Sequence, residues 1–239
     1  MVAHWLATSP LRPSAFRGLG GPQNSFAIES FMDELAAAAG ADPVAFRLRH
    51  LTDPRAIAVV ERVAQLARWQ PRPSPARVAA PPVATGRGIA FAQYESAFAY
   101  AATVVEVAVD RRSGEVRVQR AFVAHDCGLI VNPDGLRNQI EGATIQTISR
   151  TLKEEVAFER GAVTSLDWGS YPILTFAEVP DDLEVELINR PDQPPVGAGE
   201  PATCPIPAAI ANAVFDATGA RLRTVPFTPE RVKAALERS

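Results

Sequence analysis

The chain has 239 residues, 47% hydrophobic and 21% charged, with a net charge of −3. That balance carries no electrostatic footprint for nucleic acid or an anionic membrane, and no run of 18 or more apolar residues offers a transmembrane helix. Two cysteines, Cys127 and Cys204, are too few for a disulfide framework or a structural zinc site, so a reducing compartment, the cytoplasm, is expected.

The opening stretch Met1–Pro10 lacks the basic-then-apolar pattern of a secretory signal. Residues 1–24 are rich in Gly and Pro and end in Phe16-Arg17-Gly18-Leu19-Gly20-Gly21-Pro22-Gln23, which reads as a tight, irregular backbone. A helix is predicted from about Ser25 to Ala39, apolar at Phe26, Phe31 and Leu35, with Gly40 at its end. Asp42-Pro43 and Asp53-Pro54 each supply an N-cap and a first-turn proline. They predict helices to His50 and to about Trp69, the second with Ile57, Val60, Val63, Ala64 and Leu66 at helical spacing.

The proline-rich stretch near 70–87 reads as a linker of polyproline character. From Gly88 the period changes to two. Ala101–Asp110 and Glu115–His125 alternate around the turn Arg111-Arg112-Ser113-Gly114, which predicts a hairpin. Asn132-Pro133-Asp134 opens a helix over about 136–154 with Ile140, Thr144, Ile148 and Leu152 on one face. Short strands are expected at 155–160, 163–166 and 183–189. A helix apolar all round is expected at 206–217 before Gly219, and a short amphipathic one closes the chain at 229–236. The fold class expected is α+β, a mixed sheet with packed helices. Three segments follow: a loop plus helices over 1–70, a linker over 71–87, and an α+β lobe over 88–239.

Three segments have residues suited to chemistry. The loop Pro194-Pro195-Val196-Gly197-Ala198-Gly199-Glu200-Pro201 ends in a carboxylate just before an apolar helix. A glutamate among apolar neighbours has a raised pKa and can accept a proton near neutral pH. Spacing alone reads Glu200 first as a charge that favours the start of the following helix. Around Arg17 and Gly18, glycine-rich backbone can approach an anionic ligand while the arginine grips it, although a turn with a surface arginine fits the same residues. The spacing matches neither a Walker loop nor a dinucleotide fingerprint. The third segment runs from Asp126-Cys127-Gly128 through Asn132-Pro133 to Gln139-Ile140-Glu141-Gly142. It places a helix start, and its free amides, beside a strand end. Cys127 and Cys204 read as small buried thiols, His125 not as a metal ligand, and His4 and His50 have no partners to suggest a site.

Together these motifs, in this order, resemble the xanthine dehydrogenase and aldehyde oxidase family, whose large subunits bind a molybdopterin cofactor. The stretches 29–69 and 167–229 are most similar to the bacterial branch containing nicotinate dehydrogenase and isoquinoline 1-oxidoreductase. The resemblance implies that Glu200 is the base that takes a proton as an electron-poor carbon is hydroxylated. It implies that Arg17, Gly18, Gln139 and Gly199 lie against the cofactor and that Leu19 faces the substrate pocket, where xanthine-type relatives have an aromatic.

It further implies a molybdenum-bearing molybdopterin, in the cytosine dinucleotide form, and a substrate that is an N-heteroaromatic or an aldehyde. No direct protein ligand to a metal is expected. Family subunits are several times longer, and the first cofactor-binding lobe is missing here. A second chain supplying that lobe is therefore expected, as is an exposed apolar face where it would sit. The chain has no four-cysteine cluster set, so [2Fe–2S] clusters on a small partner subunit are expected to take the electrons. Met1 directly before the arginine motif fits a split subunit, inactive alone. The competing reading is a truncated, cofactor-free fragment that serves at most as an assembly module.

Overall fold

A computed structural model describes residues 14–75 and 81–238. The element order is α1 (Gly21–Ala38), α2 (Pro43–His50), α3 (Pro54–Leu66), β1 (Val83–Gln93), β2 (Tyr100–Asp110), β3 (Val116–Asp126) and α4 (Pro133–Leu152). Two-residue strands β4 (Phe158–Glu159) and β5 (Ala162–Val163) follow, then β6 (Asp182–Leu187), α5 (Ile206–Thr218) and α6 (Pro229–Leu236). The main sheet runs β1-β2-β3-β6, antiparallel except for the parallel β3–β6 edge. This is the α+β mixed sheet expected, with the 101–110/115–125 hairpin at its centre. No helix among the described residues is long and apolar enough to cross a membrane.

The sheet has helices on both faces. In β2 the odd positions Val105, Val107 and Val109 pack with α5, while Tyr100, Ala102 and Val104 pack with Val59, Val60 and Val63 of α3. Beyond Val105 the α3 layer stops, and Glu106, Ala108 and Asp110 are only half-buried. Period two is therefore legible in one half of β2 alone; the other half is apolar on both faces because both are covered. Gly86 and Gly88 let α5 lie directly on β1, since a Cβ there would come within 2.4 Å and 2.2 Å of the Ala213 and Ala209 carbonyl oxygens. That close approach is why α5 is built of small residues and apolar all round.

Three expectations need correction. First, α1 begins at Gly21, inside the run read as irregular, because Pro22 needs no amide partner in a first turn. Its facing is also inverted: Glu29, Ser30, Asp33 and Ala36 are buried, while Ile28 (61% exposed), Phe31 (57%) and Leu35 face outward. Second, the helix predicted to Trp69 ends at Leu66, and Trp69 turns back to donate its indole N–H to Asp42 at 2.8 Å. Third, the stretch read as a linker carries the first five residues of β1, and Arg72 is fastened by two 2.6 Å bonds to the buried Asp216 of α5. The N-terminal helices and the sheet thus share one core, held by charged staples that periodicity does not reveal.

Other expectations hold. Ile140, Thr144, Ile148 and Leu152 are all buried on α4. The hydroxyls of Thr144, Thr147 and Thr151 bond to the carbonyls four residues earlier, which satisfies them inside the core. The short strands after α4 are real but only two residues each, and the strand expected at 183–189 is β6.

Candidate active site

The loop before α5 is set by the end of β3. Asp126, fully buried, accepts from Arg55 (2.6 and 3.1 Å), from Arg190 (3.1 Å) and from the Gly128 amide (3.0 Å). Backbone bonds from Arg190 to the Gly128 carbonyl and from Val196 to the Cys127 carbonyl then lay the loop along the strand end. A single 3-10 turn, Pro201–Thr203, joins that loop to α5. Glu200 is therefore presented on an anchored segment.

Its carboxylate is held from two sides. The Gly18 amide donates to Oε1 at 3.0 Å and the Tyr94 hydroxyl to Oε2 at 2.5 Å. Gly18 suits this place for two reasons: its φ of 96° is left-handed, and a Cβ would meet Thr203 Oγ1 at 2.6 Å. Arg17 then spreads over two segments, donating to the Gly199 carbonyl (2.7 Å) of the loop and to Gln139 Oε1 (3.0 Å) and Gln146 Oε1 (2.9 Å) of α4. Arg150 stacks over the Phe16 ring, 3.9 Å from its centroid, and donates to the Arg17 carbonyl.

The structure brings Arg17, Gly18, Gln139, Gly199 and Glu200 together at one surface. Leu19 is exposed beside Gly18, with its own φ of 49° in the left-handed region. Two contributors escaped the sequence reading. Gln146 sits two helical turns after Gln139, a spacing that would have revealed it. Tyr94 follows β1 directly with no motif around it, and only the folded chain places it on Glu200. Cys127 and Cys204 are buried, and burial pushes both thiols upward, Cys204 to about 11, so neither is a nucleophile. His125 is fully buried, and burial holds its pKa down near 4.

The expectation of a raised pKa for Glu200 fails. The Tyr94 hydroxyl first, then the Gly18 amide and the charge of Arg17, outweigh burial and pull its carboxyl below the usual range. The group is half-buried among donors rather than apolar side chains. It is ionised at neutral pH and has open lone pairs for a proton, while the same donors make it a weaker base than a free carboxylate.

The chemistry of the donors fits an anionic, oxygen- and sulfur-rich cofactor. Gln139 and Gln146 use their amide oxygens on Arg17, which leaves the N–H groups of both exposed side chains without a partner among the described residues. A hollow of about 220 Å³ is lined by Tyr94, Phe98 and the segment 196–201, which carries Gly199 and Glu200. Free N–H groups, a fixed cation and a glycine backbone at an open surface form a cradle for such a group.

Fold and site together present an open, donor-lined carboxylate surface at one end of the sheet. Two family models, both described as a molybdopterin cofactor-binding domain, match residues 2–51 and 27–180. The chain belongs to that family of molybdopterin cofactor-binding domains, within the xanthine dehydrogenase group. It is 53% identical over 236 residues to a subunit of nicotinate dehydrogenase from Pseudomonas putida, covering 96% of this chain and 20% of that protein. It is 36% identical over 214 residues to the beta subunit of isoquinoline 1-oxidoreductase from Brevundimonas diminuta, covering 89% of this chain and 26% of that one. The aldehyde oxidoreductase of Desulfovibrio gigas superposes with a TM-score of 0.79 at 18% identity, over 94% of this chain and 42% of that one, a likeness of fold. The chain thus spans about a fifth to a quarter of the length of the first two relatives.

Proposed function

We propose that this chain is the C-terminal portion of a molybdenum hydroxylase subunit that oxidises an N-heteroaromatic ring or an aldehyde. The observation that supports this best is the convergence of four segments on one open carboxylate site: Gly18 and Tyr94 on Glu200, and Arg17 on Gln139 and Gly199. The two relatives named for nicotinate and isoquinoline favour the heteroaromatic choice.

The overall reaction balances as R–H plus water giving R–OH, two protons and two electrons. The molybdenum-bearing pterin supplies the electron-accepting and oxygen-transfer chemistry when bound. Arg17, Gly18, Gln139 and Gly199 hold and orient it, and the amides of Gln139 and Gln146 donate to its polar edge. Glu200, ionised and fixed, takes one of the two protons at a carboxylate oxygen. Leu19 sits at the substrate side, and its aliphatic side chain presents no aromatic face for stacking. The cofactor is of the cytosine dinucleotide form, and the electrons pass to [2Fe–2S] clusters on a small partner subunit in the cytoplasm.

The rest of the cofactor pocket lies outside these 239 residues. Two exposed apolar areas suit packing against that remainder: the outward stripe Ile28, Phe31 and Leu35 on α1, and the arm carrying Leu166, Trp168 and Phe176, the last 98% exposed. Expression together with the remainder of the molybdenum-binding subunit and with an iron–sulfur subunit tests the proposal. A complex that retains molybdenum, releases cytidine monophosphate on acid hydrolysis and hydroxylates nicotinate-like rings is expected. A stable complex without molybdenum would sink it.

A further inference from the structure

We infer that Tyr94 is a positioning residue for Glu200: its hydroxyl fixes one carboxylate oxygen, so that the remaining lone pairs face the hollow beside Gly199. The inference rests on the reading of Glu200 as the base. A carboxylate has about four lone-pair sites. Two are taken, by Tyr94 at 2.5 Å and by the Gly18 amide at 3.0 Å. One bond leaves a carboxyl group free to swing about its last side-chain torsion, whereas two bonds to opposite oxygens fix its plane.

The turn that carries Tyr94 is built to hold it. Tyr94 opens the six-residue connection between β1 and β2, which its amide closes by donating to the Ala99 carbonyl at 2.9 Å. Inside that connection Glu95 and Ser96 both adopt left-handed φ values, 50° and 56°, which cost energy in residues other than glycine. The ring lies beside the start of α1, where a Cβ at Gly21 would touch it only at ordinary contact distance, 3.6 Å, but would collide with Cys204 Sγ at 2.6 Å. Gly21 thus leaves room for Cys204 behind the pair, and the strained turn delivers the Tyr94 hydroxyl to Glu200.

The charged and titratable groups around the pair are few. Arg17 faces Glu200 from the N-terminal loop, Cys204 lies behind it on the turn before α5, and Glu95 neighbours Tyr94 on its own turn. Burial keeps Cys204 protonated at neutral pH, and burial first, then the bond to Glu200, holds the Tyr94 phenol protonated. The hydroxyl therefore remains a donor throughout the working range.

The test is made in the assembled, molybdenum-loaded enzyme. Tyr94→Phe removes only the hydroxyl, and a charge-assisted bond of this kind corresponds to a shift of about one pH unit. The acid limb of the kcat/KM profile is expected to move upward by that amount with molybdenum content unchanged. A second measurement does not depend on turnover. With 3-fluorotyrosine placed at position 94, its fluorine resonance is expected to titrate with the Glu200 carboxyl, and the titration is expected to vanish in Glu200→Gln. An acid limb that coincides with that of the parent enzyme, or a fluorine signal indifferent to Glu200→Gln, overturns the inference. Undiminished turnover in Glu200→Gln overturns the base reading instead, and the fluorine titration separates the two failures.

Discussion

Two clusters of arginine and carboxylate meet α1, one beneath its middle and one at its start, and they use the same side-chain types for different ends. Beneath the helix, Arg47 bonds Glu29 at 2.7 Å and Arg221 bonds Asp33 at 2.8 Å. The Glu29 backbone carbonyl accepts from Arg47 and from the buried Asn212, and its carboxylate takes the Phe91 amide. At the helix start, Arg17 and Glu200 are each held by several partners too, but around them the amide N–H groups of two glutamines have no partner among the described residues and the surface is open. A closed polar cluster answers its own charges and serves the fold. An open one with spare donors leaves its chemistry for something else to complete.

That contrast is broken or sharpened by substitution. The largest effect is expected at Glu200→Gln in the assembled enzyme: turnover falls by about a hundredfold or more, the range of a lost general base, with molybdenum retained. Parallel metal analysis and steady-state rates check it. Next is Arg47→Ala, which strands Glu29 without its cation. Breaking such a buried pair costs about 3–5 kcal/mol, read as a lower denaturation midpoint.

Arg17→Lys is the discriminating substitution. Lysine keeps the charge but cannot fork across three acceptors, so cofactor occupancy is expected to fall while stability changes by less than about 1 kcal/mol. If Arg17→Lys unfolds the protein as Arg47→Ala does, the distinction between the clusters collapses.

The smallest effect is a slope with pH. His125 is buried with neither ring nitrogen bonded, and burial holds its pKa near 4, against an ordinary value of 6.5. Between those values the unfolded chain binds the proton and the folded one does not. Its contribution is therefore full above about pH 6.5 and lost as pH falls toward 4. Melting temperature should decline over that window, and His125→Leu should flatten the decline.

Much of the layout was legible in sequence. The Asp42-Pro43 and Asp53-Pro54 caps, the α4 stripe and the hairpin around Ser113-Gly114 follow from local rules and stand where those rules put them. The facing of α1 was not legible, because Phe31 and Leu35 mark an apolar stripe and nothing local says that Glu29 and Asp33 have buried cations waiting. Nor was the fastening of residues 72–74, where prolines suggest a loose connector but Asp216, over a hundred residues away, ties it down.

What the sequence determined by itself is the family and the strings that meet at one surface, since glycine, proline, arginine and glutamate in those strings answer backbone and charge demands that local rules express. What the tertiary structure decided is how those segments act on one another. It put a tyrosine with no motif onto Glu200, drew Arg17 across Gln139, Gln146 and Gly199, and turned the expected apolar carboxyl site into a donor-lined one. Long-range hydrogen bonds and desolvation depend on distance in space, and one sequence read in order carries no direct record of that distance.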